Sequence, residues 1–97
     1  MNDKISNVVG NIVSGLAQHK KAVLVTTSDN NNDTIELTID ENNVRIYIHK
    51  KGIRITANTT QGNLSLGLKE TSYKTRCYKI FTLDSYEDVT NVILNLK

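Results

Sequence analysis

Residues 34–58, TIELTIDENNVRIYIHKKGIRITAN, alternate apolar and polar side chains through three successive runs. Ile35, Leu37 and Ile39 interleave with Thr34, Glu36, Thr38 and Asp40. Val44, Ile46 and Ile48 interleave with Arg45, Tyr47 and His49, and Ile53, Ile55 and Ala57 with Arg54, Thr56 and Asn58. Successive side chains on a strand point to opposite faces, so this period of two predicts three strands with one dry and one wet face.

Turn chemistry extends the reading to register. A two-residue turn at Asn42-Asn43 sets Ile39 against Ile46, and asparagine tolerates the positive φ such a turn needs. A Lys51-Gly52 turn sets Lys50 against Ile53 and Ile48 against Ile55. On the wet face this register places Asp40 opposite Arg45, and His49 between Glu36 and Arg54. A slip of one residue would put every isoleucine in water, so the pattern excludes it.

The 97 residues suffice for a single domain, 1–97, that buries roughly two-thirds of its unfolded surface without staples. One cysteine, Cys77, excludes an internal disulfide and suits the reducing cytoplasm. The apolar runs are too short to span a bilayer, and the N-terminus lacks the unbroken apolar core of a secretory signal. An intracellular, cytoplasmic protein with no membrane contact is expected. The chain has no proline and is rich in Asn, Lys and Ile. That composition suits an AT-rich genome, as in many viruses and mobile elements.

Outward from the central strands, residues 3–19 carry Ile5, Val8, Val9, Ile12, Val13 and Leu16 at helical spacing, with Asn2 or Asp3 as cap. Residues 21–27 read as a strand and the acidic, amide-rich 28–33 as a solvated loop, without the glycine or spacing of a calcium loop. A turn around Gly62 precedes a fifth strand, in which Leu64, Leu66 and Leu68 alternate with Ser65, Gly67 and Lys69. Residues 76–83 form a sixth strand with both faces partly covered. Asp84 or Ser85, with Glu87 or Asp88 three positions on, makes a capping box for a helix that buries Val89, Val92, Ile93 and Leu96.

The expected fold is α+β: two layers, a meander-like antiparallel sheet of about six strands, and an N-terminal and a C-terminal helix packed on one face. The ending, residues 77–96, resembles in outline the close of a pleckstrin-homology-like domain, without the tryptophan often found in that helix. End helices around a sheet are also similar to profilin-like folds. Neither likeness implies an activity.

Motifs for chemistry are sparse. The sequence has no HExxH, paired CxxC, nucleophile elbow or glycine-rich phosphate loop, and its two histidines, His19 and His49, fall at a helix end and on the wet face of a strand. No catalytic residue, metal ligand or cofactor site is expected. Charge is more informative. From Arg45 to Lys79 there are eight Lys or Arg residues and one acid, Glu70, whereas Asp29, Asp33, Glu36, Asp40 and Glu41 precede them with no base among them. Such asymmetry marks a surface for an anionic partner. The expected contact set is Arg45, Tyr47, His49, Lys50, Lys51 and Arg54, extended by Lys74, Arg76 and Lys79, with Tyr47 stacking on an unpaired base. The bland alternative is a solvated face whose charges pair across strands. Two partner classes follow: nucleic acid, single-stranded above all, or a protein bound by a dimeric adaptor or small inhibitor. A sheet edge also offers a route to a homodimer.

Overall fold

The computed structural model describes residues 3–27, 34–73 and 75–97. Its elements are α1 (Asp3–Ala17), β1 (Leu24–Thr27), β2 (Ile35–Ile39), β3 (Val44–His49), β4 (Gly52–Asn58), α2 (Gln61–Ser65), β5 (Lys69–Glu70), β6 (Arg76–Phe81) and α3 (Tyr86–Leu94). All six strands pair antiparallel in one open sheet, ordered β1-β2-β3-β4-β6-β5. The first four form a meander. β6 then returns beside β4 and leaves β5 at the outer edge. The expected Asn2 cap, the 28–33 loop and Lys74 lie outside the described residues. Among the described residues no helix is long and apolar enough to cross a membrane.

The dry face is as the alternation predicts. Ile35, Leu37, Ile39, Val44, Ile46, Ile48, Ile53, Ile55 and Ala57 are all buried, beneath Ile5, Val8, Ile12 and Leu16 of α1 and Val89 and Ile93 of α3. Each of the isoleucine, leucine and valine side chains contributes roughly 1.5–3 kcal/mol relative to staying in water. The two helices meet closely at Gly15, where a Cβ would lie 3.1 Å from Thr90 Cγ2. Past the end of α1 the chain turns at Lys20, whose φ of 61° lets the Lys21 amide reach back to the Leu16 carbonyl at 3.1 Å.

Both central hairpins differ in register from the expectation, each by two residues. Ile39 pairs with Val44 and Leu37 with Ile46, because the β2–β3 connection is a four-residue turn over 40–43. Asn42 and Asn43 do take positive φ, 61° and 52°, and the Asn43 amide donates to the Asp40 carbonyl at 3.0 Å. Ile48 pairs with Ile53 and His49 with Gly52, so the second turn is Lys50-Lys51. A shift of two leaves every side chain on its face, so burial cannot detect it.

The leucine run at 64–68 does not form the expected strand. Thr60 caps a short helix by accepting from the Asn63 amide at 3.0 Å. Buried Asn63 donates to the Asn58 carbonyl and accepts from the Lys97 amide, at 2.7 and 2.8 Å. Gly67, at φ +93°, ends the turn, and only Lys69–Glu70 is strand. The C-terminal capping box is absent too. Ser85 makes no side-chain bond to the helix backbone; its hydroxyl meets that of Thr82 at 3.0 Å, and a 3₁₀ turn, Leu83–Ser85, leads into α3. Cys77 is buried on β6 beside Ala57 of β4, its thiol directed at the Ala57 and Asn58 carbonyls, and burial pushes its pKa up.

Candidate functional site

The sheet face away from the helices carries the site. Across β3, β4 and β6 the register lines up two rows. Arg45 pairs with Thr56 and Thr56 with Tyr78, while Tyr47 pairs with Arg54 and Arg54 with Ile80. Arg76, level with Asn58, closes one end, and Lys50 and Lys51 sit exposed at the hairpin tip toward the other. Residues 70–73 rise beside β6 as a wall, tied down by a Thr71 amide bond to the Arg76 carbonyl at 2.9 Å. The result is a groove of about 800 Å³ lined by Arg45, Arg54, Arg76, Tyr47, Tyr73 and Tyr78, with Thr56, Glu70, Thr71, Ser72 and Ile80.

Arg76 is the most constrained cation in the groove. Its Nη1 donates to the Asn43 carbonyl and its Nη2 to Thr56 Oγ1, both at 2.6 Å, so one side chain of β6 fastens to β4 and to the turn before β3. Partial burial holds its pKa below the ordinary arginine value, and Arg45 adds to the depression. Arg54 lies over the Tyr78 ring, 5.1 Å from its centre, a cation–π contact that holds both rows together. Tyr73 is 80% exposed at the rim, and Ile80, 67% exposed, offers apolar surface beside Arg54.

The expected cross-strand pairing of these charges does not occur. Arg45 faces Thr38 rather than Asp40, Tyr47 takes the place opposite Glu36, and His49 faces Gly52 rather than Arg54. Among the described residues, the ion pairs are Lys4–Asp84 and Lys21–Glu41, both away from the groove. Glu70 lines the groove and is not within ion-pair distance of an arginine.

The structure brings together Arg45, Tyr47, Arg54 and Arg76 of the expected set, with Lys50 and Lys51 at the end of the same face. His49 is half-buried beside the tip, where its Nδ1 accepts from the Lys51 amide at 3.2 Å. Lys79 is a correction. It pairs with Ile55, on the helix-covered side of the sheet, and its ammonium lies over the Phe81 ring at 5.3 Å. Lys79 therefore takes no part in the groove. Alternation already implied this, since 79 is in phase with Cys77 and Phe81 and out of phase with Arg76.

Tyr73 and Tyr78 were not expected in the site. Tyr78 is in phase with Arg76, and that phase was the available signal; Ile80, in the same phase, is open to solvent rather than covered. No local pattern marks Tyr73, which reaches the groove only because the β5–β6 connection folds over the sheet. Among the described residues no group of three His, Cys, Asp or Glu could hold a metal ion. No family model, curated protein or solved structure matches the chain.

Proposed function

We propose that the protein binds single-stranded nucleic acid on the open face of its sheet. The observation that carries this reading is the composition of the groove: three arginines with no carboxylate partner among the described residues, interleaved with three tyrosines. Guanidinium groups bind phosphates through paired donors, and a phenol ring offers a stacking face to any base. In a duplex those faces are already stacked, so rings set in an open groove favour an unpaired strand. The polar groups that line the groove suit binding rather than catalysis. They are arginines, phenols and hydroxyls with one carboxylate, and no imidazole or thiol lies among them.

The test is anisotropy of labelled single- and double-stranded oligonucleotides at two salt concentrations. Three phosphate contacts on a single strand give a slope of log K against log salt of about −2. Tighter binding of the single strand with that slope supports the reading. Equal affinity for duplex, or none for either, overturns it.

One observation favours protein binding instead. β1 is an edge strand of four residues without charge, and its Leu24 and Val25 are exposed. Edges of this kind are open to strand addition, including by a second copy. Mass measurement in solution, with and without Val25→Lys, tests it: a dimer dissolved by the substitution supports edge pairing, and a monomer throughout excludes it.

A further inference from the structure

We propose that the corner between Arg45 and Arg76 is an anchoring subsite for one phosphate group, distinct from the general positive charge of the face. The inference rests on the nucleic-acid reading and adds where the strand is gripped. Arg45 pairs with Thr56 across β3 and β4, and Thr56 Oγ1 accepts from Arg76 Nη2 at 2.6 Å. Thr56 is thus the cross-strand partner of Arg45 and the acceptor for Arg76, and the two arginines line one groove, where their charges repel.

Like charges brought together without a counter-ion are unfavourable unless an anion joins them. Here each arginine has a different local role. Arg76 fastens three parts of the sheet, and its two bonds leave three of its five N–H donors for a ligand. Arg45 is exposed and makes no hydrogen bond or ion pair among the described residues. Among the described residues nothing accounts for its charge, whereas a phosphate held by Arg76 does. Tyr47 lies two residues along β3 from Arg45 and Tyr78 two residues along β6 from Arg76, and both rings line the same groove. The ligand chemistry is a phosphate oxyanion with a base attached. It comes either from within a strand or from its end.

The test compares affinity for a labelled four-nucleotide thymidine strand across three variants. Arg76→Lys keeps the net charge but loses the planar fork, and is expected to weaken binding about tenfold. Arg45→Gln, at an exposed position that carries no fold contact, is expected to weaken it by a similar factor. The double variant Lys50→Gln/Lys51→Gln, which removes twice the charge of Arg45→Gln from the same face, is expected to lose threefold or less. A smeared cationic surface gives the opposite order, with Arg76→Lys unchanged and the lysine variant weakest; that order overturns the subsite while leaving single-strand binding intact.

Repeating the titration with a 5′-phosphorylated strand separates the two sources. Tighter binding assigns an end phosphate and equal binding an internal one. Inorganic phosphate, followed through the arginine side-chain N–H resonances, tests the corner by itself. Shifts at Arg45 and Arg76 without any oligonucleotide binding would keep the subsite and sink the nucleic-acid reading. No shifts at either would sink the subsite.

Discussion

On β3 and β4, Ile46 and Arg45 are neighbours in the chain, as are Ile55 and Arg54, yet the two members of each pair are held by different things. Ile46 and Ile55 have no exposed surface and sit under two helices. Arg45 and Arg54 stand in solvent on the other side of the same sheet, with no helix above them. The helix-covered face is overdetermined, because each side chain packs against many others and the hydrophobic effect selects it. On the open face packing selects little. In the groove, Arg76 is held by two hydrogen bonds and the Arg54–Tyr78 pair by a cation–π contact. Side chains that neither stabilise the fold nor neutralise one another are therefore the ones to examine for a partner.

The comparison predicts its largest effect on the covered face. Ile55→Ala is expected to destabilise the fold by about 3 kcal/mol, through lost transfer energy and the cavity left behind. Urea unfolding measures it. A loss below about 1 kcal/mol would mean the covered face is loosely packed and the contrast is false.

Gly52→Ala comes next, at about 2 kcal/mol. Gly52 has φ +153°, and a Cβ there would lie 2.8 Å from the Phe81 carbonyl oxygen, so the backbone of β4 or β6 must shift. Because Gly52 adjoins the Lys50-Lys51 tip, the same variant shows whether the tip depends on this close approach. A wild-type midpoint in urea would show that the two strands are free to part there.

The covered face was legible from the sequence and the open one only in part, for a physical reason. Burial imposes a period, and Ile35 to Ala57 display it, so strands, faces and helix stripes follow from spacing alone. Register does not follow, because Ile39 against Val44 and Ile39 against Ile46 bury the same residues. The turn length that decides between them is set by the backbone of 40–43, which hydrophobicity does not encode. The run Leu64, Leu66, Leu68 misled for a related reason: alternation over five residues is weaker than one good cap, and Thr60 supplies the cap. In the groove, Arg45, Tyr47 and Arg54 followed from phase. Tyr73 depended on how a connection folds over the sheet, a tertiary event with no local signature. Lys79 was misplaced by grouping charges along the chain instead of by face.

A third prediction reverses the sign. Gly10 lies mid-helix in α1, and a Cβ there would meet nothing within 4 Å. Gly10→Ala should therefore stabilise by about 0.5–1 kcal/mol, since alanine loses less backbone entropy on entering a helix. Gly15, only five residues on, faces Thr90 at 3.1 Å and should show no such gain. The pair sharpens the contrast, because one helix then has a side that packing constrains and a side that it does not. Equal shifts in Tm at both positions would show that α1 does not lean on α3 through Gly15.

The smallest stability effect is expected where the functional effect is largest. Arg45→Gln removes a charge that forms no ion pair among the described residues and that repels Arg76. Solvent screens most of that repulsion at an exposed position, so the change in stability should be within about 0.5 kcal/mol and favourable if it is resolved at all. A residue kept for the fold behaves otherwise, since its removal lowers stability. If Arg45→Gln instead destabilised by more than about 1 kcal/mol, Arg45 would be supporting the sheet, and the open face would obey the same rule as the covered one. Measuring urea unfolding and oligonucleotide affinity on this one variant sets the two faces against each other directly. Unchanged stability with weakened binding is the combination that a side chain retained for a phosphate must produce.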